Sequence, residues 1–137
     1  MILSKKLNIE KKVHFLGVLK NYYQYIKNFN ILVYTRETED FLNVLIEVLK
    51  CEISLIFSDY ILGPKEILYS SSDIIKQLKK RDGFKIGDCG MLFVTTDLKA
   101  LKKAINYLLE NKKFYDEYKN KSLQRAKNFS VENIIEK

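Results

Sequence analysis

Short, continuous apolar runs alternate along this chain with longer segments in which apolar residues recur at helical spacing. Four such runs, at residues 13–15, 31–34, 54–57 and 91–94, predict strands. Because the runs are continuous rather than alternating with polar residues, both faces of each strand should be covered. The order of strands and helices predicts an α/β fold: a Rossmann-like parallel sheet of about four strands with helices on both faces.

Capping residues and helical spacing define the predicted helices. Asn21, Asn43 and Asp97 each stand where a helix N-cap is expected, and Pro64 suits the first turn of a short helix. Three glycines within residues 81–90 predict a loop there. The helices are predicted at residues 21–28, 44–50, 65–68, 70–80, 98–110 and 114–129, with a short one after residue 130. In the first of them, helical spacing predicts one buried face, and stacking of these aromatics on nucleic-acid bases is the less favoured alternative; the face consists of Tyr22, Tyr25, Ile26 and Phe29.

Residues 34–59 form the segment around which the rest of the chain is organised. They predict a strand, an acidic loop, a helix and a second strand, which together make one βαβ unit. Ligands of such units lie at the carboxyl ends of the strands, where the first turn of the helix can bind a diphosphate. Glu39 and Glu47 lie eight positions apart across that turn. The alternative is that both glutamates are solvated surface carboxylates.

Composition narrows the function classes. The 137 residues predict one domain, and the net charge of +7 comes almost entirely from lysine. Lysine-mediated nucleic-acid binding is therefore one alternative, but a general lysine bias explains the charge equally well, and we expect no nucleic-acid partner. Cys51 and Cys89 lack metal-ligand spacing and His14 is the only histidine, so we expect no metal and no cofactor. With no apolar segment of membrane-spanning length, we expect a cytoplasmic protein.

Five blocks of the chain, in order, resemble retaining glycosyltransferases of the GT-B architecture, the group one or family four enzymes. Residues 39–47 resemble their E-G-F-x-N-x-x-x-E block, and residues 13–17 resemble a V-x-F-L-G strand. The other three blocks are Asp59 with residues 63–68 (G-P-x-E-I-L), residues 89–94 (Y-G-x-L-V) and residues 125–130 (R-A-x-x-F-S).

The resemblance implies roles for individual residues. Glu39 would face the donor-sugar hydroxyls as the catalytic residue, and Glu47 would accept the ribose hydroxyls. Backbone N–H groups near Asn43 and Val44 would hold the diphosphate, and such enzymes usually need no metal. Lys65 would neutralise phosphate, with a solvated lysine as the alternative. The donor-binding set is Glu39, Phe41, Leu42, Asn43, Val44, Glu47 and Lys65.

The resemblance also implies partners and an incomplete unit. Residues 1–137 would be a single donor-binding domain that lacks the first strands of the GT-B carboxyl-terminal domain and the amino-terminal acceptor domain. We expect a UDP- or GDP-linked sugar as ligand and no transfer by the chain alone. A separately encoded amino-terminal half is one expected partner, and a lipid-linked acceptor would bring the protein to the inner face of the membrane. The alternative is a non-catalytic nucleotide-binding subunit of a split transferase. Asp40, where the family has glycine, places an extra anion beside the phosphate site.

Overall fold

The computed structural model describes residues 2–35, 42–59, 64–69 and 78–129. They form a four-stranded mixed sheet in the order β1-β2-β4-β3. Strands β1, β2 and β4 are parallel, while β3 runs antiparallel to β4 at the sheet edge. The strands are β1 (Ile31–Tyr34), β2 (Ser54–Asp59), β3 (Phe84–Ile86) and β4 (Met91–Val94).

Helices connect the parallel strands and cover the sheet. Two short 3₁₀ helices, Glu10–Lys12 and Lys80–Asp82, lie in the connecting segments. The α-helices are α1 (Ile2–Lys6), α2 (Tyr23–Ile26), α3 (Leu42–Leu49), α4 (Pro64–Leu68), α5 (Leu98–Glu110) and α6 (Lys112–Asn128).

The side chains of β2 alternate between two hydrophobic clusters, one on each face of the sheet. Leu55 and Phe57 pack with residues of α3 and α4 in what we call the first core. Ile56, between them, packs against α5 and α6 in the second core. All six residues of β2 are buried, as expected for a central strand of a sheet covered on both faces. The predicted layered α/β fold is therefore confirmed.

Two strand assignments made from the sequence are wrong. Residues 13–15 are not a strand, and among the described residues no strand lies beside them to supply backbone hydrogen bonds. Conversely, Phe84–Ile86, placed in a predicted loop, is β3. Its three residues pair with β4 through the registers Phe84↔Phe93 and Ile86↔Met91. A strand this short is stabilised by its neighbour rather than by a periodic pattern of its own.

The helix caps agree with the sequence in one case of three. Asp97 accepts hydrogen bonds from the backbone N–H groups of Lys99 and Ala100, both at 3.0 Å, as predicted. The N-cap position of α2 is Tyr22, not Asn21. Helix α3 begins at Leu42, so that Asn43 lies within its first turn rather than capping it. Residues 70–77 of the helix predicted at 70–80, and the short helix predicted after residue 130, lie outside the described residues. Residues 78–80 are described and are not α-helical, since Lys80 begins a 3₁₀ helix.

Helix α6 contacts the chain at the amino ends of β2 and β4, opposite the carboxyl ends of the parallel strands. The buried Tyr118 hydroxyl lies 2.9 Å from the carbonyl oxygens of both Gly87 and Gly90. Near the end of α6, Arg125 donates from Nε to the carbonyl oxygen of Ile67 at 2.8 Å and from Nη2 to that of Tyr69 at 3.2 Å. These bonds satisfy carbonyl groups at and just beyond the end of α4.

Candidate functional site

The carboxyl ends of the three parallel strands meet at one edge of the sheet. At this edge Tyr34 of β1 is paired with Phe57, and Asp59 of β2 is paired with Val94 of β4. Helices α3 and α4 follow β1 and β2, so their amino ends face the same edge. In open α/β sheets this edge is where ligands bind.

Glu47, in the second turn of α3, is already engaged by an aromatic hydroxyl. Its Oε2 atom accepts a hydrogen bond from the hydroxyl of Tyr22, which immediately precedes α2. The Tyr22 ring packs against the first core and stacks on Tyr23, with ring centroids 4.5 Å apart and planes 24° from parallel. The Glu47 side chain therefore links α3 to a pair of stacked tyrosines.

The tyrosines set the ionisation state of this carboxyl. Hydrogen bonds from Tyr22 and then Tyr23 hold the pKa of Glu47 below its usual range, with a smaller contribution from the positive charge of Lys50. The bond to Glu47 in turn raises the pKa of Tyr22. Burial raises the pKa of Tyr23, and its interaction with Glu47 adds to the effect. The cluster is thus a carboxylate with neutral phenols as donors.

Lys65 lies in a buried ion pair and not on the surface. Its Nζ is 2.8 Å from Oδ1 of Asp59, and the two side chains are 5% and 1% exposed. The other carboxylate oxygen of Asp59 accepts a hydrogen bond from the backbone N–H of Leu78, and its backbone carbonyl accepts one from Thr95 Oγ1 at 3.0 Å. The alternative of a solvated Lys65 is therefore wrong. The pair links the end of β2 to α4.

The other predicted donor-binding residues are only partly within the described structure. Glu39 and Phe41 lie outside the described residues, so the distance between the two predicted glutamates is not defined. For Leu42 and Asn43 the backbone alone is described, and it forms the first turn of α3. Val44 is half-buried and packs against the first core.

Sequence reasoning assigned Tyr22 to a buried helical face and did not connect it with Glu47. The assignment to the core was correct in part, because the Tyr22 ring does pack there. The prediction missed the hydrogen bond that the Tyr22 hydroxyl donates to Glu47, 25 positions away in the sequence. A tyrosine at a core-facing position needs a partner for its hydroxyl, and that requirement was the one available indication.

The described part of the chain contains neither a metal-binding cluster nor a membrane-spanning helix. No group of three or more His, Cys, Asp or Glu side chains in these segments could hold a metal ion. None of the described helices combines the length and apolar character needed to cross a bilayer.

Comparison with known proteins agrees with this α/β architecture. Residues 2–125 match the family model of glycosyl transferases group 1, and the chain belongs to this family. It is 30% identical over 149 aligned positions to an uncharacterised glycosyltransferase of Methanocaldococcus jannaschii, covering 97% of this chain and 36% of that protein. It is also 30% identical over 129 positions to a Campylobacter jejuni enzyme, covering 94% of this chain and 31% of that enzyme. The enzyme is named N-acetylgalactosamine-N,N'-diacetylbacillosaminyl-diphospho-undecaprenol 4-alpha-N-acetylgalactosaminyltransferase. The chain thus spans about a third of each relative.

Proposed function

We propose that this chain is the donor-binding part of a retaining GT-B glycosyltransferase of family four and holds a nucleoside-diphosphate sugar at the carboxyl edge of β1, β2 and β4. The observation that carries the proposal is the state of Glu47. Its carboxylate stands on the helix that follows β1, is held ionised, and already accepts a hydroxyl donor. Such a group suits the paired hydroxyls of a ribose, because an ionised carboxylate is an acceptor with two oxygens.

The remaining roles in this proposal follow the resemblance described above. Glu39 faces the donor sugar, and the diphosphate rests on the backbone N–H groups of the first turn of α3, where the helix dipole favours negative charge. Preorganised donors at this position stabilise the charge that develops on the departing nucleoside diphosphate. By the same resemblance, Phe41, Leu42, Asn43 and Val44 complete the proposed donor-binding set.

In this proposal Lys65 contacts a phosphate of the donor, and its ion pair with Asp59 limits how much that contact contributes to binding. An ammonium group carries three N–H donors, so the contact with Asp59 Oδ1 at 2.8 Å does not by itself use them all. A donor phosphate would share Lys65 with Asp59 rather than receive a free cation. Its contribution to binding should therefore be smaller than that of Glu47.

The acceptor is a glycan or a lipid-linked saccharide. The name of the Campylobacter jejuni relative specifies a diphospho-undecaprenol acceptor, and an acceptor of that kind would bring the transferase to the cytoplasmic face of a membrane. The matched relatives are about three times longer than the chain. We therefore place acceptor binding and the transfer step in a region that corresponds to the rest of those proteins, and the 137 residues alone bind donor without transferring sugar.

Calorimetric titration of the purified chain with UDP and GDP tests the proposal. We expect one of the two to bind, and Glu47→Gln to weaken that binding ~10-fold or more, because a charged acceptor is replaced by a neutral one. Glu110→Gln, at an exposed position of α5, is the matched control and should bind like wild type. Binding that is unaffected by Glu47→Gln would contradict the assignment. Sugar transfer by the isolated chain would contradict its proposed incompleteness.

A second candidate is a non-catalytic nucleotide-binding subunit that completes a split transferase. The observation that favours it is the edge strand β1, which in the described part of the chain pairs with β2 alone and leaves Val33 37% exposed. Edge strands of this kind are normally covered. Co-purification and size analysis with the product of the neighbouring upstream gene test this candidate, which predicts a stable complex; the absence of any complex would contradict it.

A further inference from the structure

We propose that Tyr22 is a positioning residue for Glu47: its hydroxyl holds one carboxylate oxygen so that the remaining acceptor positions are presented to the ribose diol. The inference rests on the proposed function, in which Glu47 receives those hydroxyls. It assigns a role to a residue outside the βαβ unit that contains Glu47 itself.

The contact is anchored at both ends. The Tyr22 ring is fixed by the first core on one side and by the stacked ring of Tyr23, 4.5 Å away, on the other. Glu47 is half-buried on α3, and Val48 and Leu49, which follow it, are fully buried in the first core. A flexible glutamate side chain therefore meets a donor whose own position is set by packing. Support of this kind keeps a binding group in its productive orientation.

The hydrogen-bonding capacity of the carboxylate leaves space for a ligand. An ionised carboxylate has about four lone-pair positions; the Tyr22 hydroxyl uses one of them on Oε2, and the hydrogen bond from Tyr23 uses a second. Tyr22 can act only as a donor to this group, because its raised pKa keeps the phenol protonated. The two groups thus form a fixed donor–acceptor pair with acceptor positions still available for two ribose hydroxyls.

Other groups near Glu47 either favour its ionised form, as Tyr22 does, or affect its pKa less than Tyr22 does. Lys50, three residues after Glu47, also favours the ionised carboxylate through its positive charge. Burial of Glu47 has the opposite effect and favours the neutral carboxyl. Cys51 is a neutral thiol, since burial and the negative charge of Glu47 raise its pKa, and Lys27 offsets this only in part. The Tyr22 hydrogen bond is the largest single influence on the ionisation of Glu47.

The experiment compares Tyr22→Phe with wild type, using UDP and GDP as probes in calorimetric titrations from about pH 3.5 to pH 8, a range that includes the ordinary pKa of a glutamate. The variant keeps the ring and removes only the hydroxyl. We expect binding to weaken about 5-fold, the cost of ordering on binding one flexible side chain that is no longer held in place. The acid limb of binding should also move to higher pH, because the pKa of Glu47 rises when its donor is removed. Tyr25→Phe, in α2 at a position 45% exposed, is the matched control and should change neither quantity.

A mutant cycle separates positioning from a general structural effect. In a Glu47→Ala background, Tyr22→Phe should produce no further loss of affinity, because the hydroxyl acts through the carboxylate. An equal loss in both backgrounds would overturn the proposal.

Carbon-13 NMR titration of the Glu47 carboxyl provides a readout without ligand. Glu47→Asp, which draws the carboxylate back by one methylene with both tyrosines intact, provides a second disruption that does not depend on the folding of Tyr22→Phe. Unchanged carboxyl pKa values in both variants would also overturn it.

The outcomes distinguish this inference from the proposed function. If wild type binds neither UDP nor GDP, the proposed function fails and the positioning role fails with it. If wild type binds and Tyr22→Phe binds equally well across the pH range, only the positioning role fails.

Discussion

Replacing Lys65 with methionine should destabilise the fold strongly, because it leaves the Asp59 carboxylate buried without its cation. The Asp59 side chain is 1% exposed, and Lys65 Nζ lies 2.8 Å from its Oδ1. Removing one partner of a buried ion pair typically costs about 3–5 kcal/mol. That is a large share of the roughly 5–15 kcal/mol by which a domain is stable.

Urea unfolding followed by far-ultraviolet circular dichroism measures this effect, since the chain contains no tryptophan. With a denaturant slope of about 1.5 kcal/mol per molar, a loss of 3 kcal/mol lowers the midpoint by about 2 M. The double variant Asp59→Asn/Lys65→Met removes both charges and keeps an acceptor for the Leu78 N–H. It should therefore be more stable than Lys65→Met alone.

The pair between Arg81 and Asp82 is the matched control. It is 3.8 Å long, and its side chains are 78% and 41% exposed. Exposed pairs contribute about 0–1 kcal/mol, so Arg81→Ala should shift the midpoint only slightly. If Lys65→Met behaves like Arg81→Ala, or if the double variant is less stable than Lys65→Met, the reasoning from burial is refuted.

Two further predictions concern the turn before β4. Gly90→Ala should lower the free energy of unfolding by about 1–3 kcal/mol, because its new Cβ would lie 2.7 Å from Leu68 Cδ2 and 3.2 Å from the carbonyl oxygen of Leu55; unchanged urea stability would contradict this. Burial raises the pKa of Cys89 to about 12 from an ordinary value of 9.0, so this group stabilises the fold fully below pH 9 and loses that contribution between pH 9 and about 12. In a Cys51→Ser variant, Ellman's reagent at pH 8 should therefore react with Cys89 only after unfolding, and rapid reaction of the folded chain would show the thiol to be exposed.

These experiments separate stability from binding at one edge of the sheet. Asp59 and Lys65 use their charges to join β2 to α4. The neutral Tyr22 hydroxyl donates a hydrogen bond to the Glu47 carboxylate, which we propose makes that carboxylate an acceptor of fixed orientation. Substitutions in the first pair should act mainly on unfolding, and those in the second mainly on nucleotide affinity.

The sequence alone determined the elements whose stability is local or whose side chains are uniformly apolar. Strands β1, β2 and β4 were predicted because a continuous apolar run needs burial on both sides, and strands of a sheet covered by helices on both faces are buried in this way. Helix α5 was predicted from its spacing and from Asp97, whose capping bonds reach only two and three residues ahead. The resemblance to group 1 glycosyltransferases was likewise carried by short blocks of sequence and agrees with the family match.

Only the tertiary structure decided which distant residues meet. β3 exists because β4 lies beside it, and residues 13–15 pair with no strand of the described sheet. The Tyr22–Glu47 contact joins residues 25 positions apart, and the Asp59–Lys65 contact joins the end of β2 to α4. The periodicity of apolar residues indicates which face of a helix or strand is buried. It does not indicate which polar side chain a buried polar group will contact, because that depends on the three-dimensional path of the chain between the two residues.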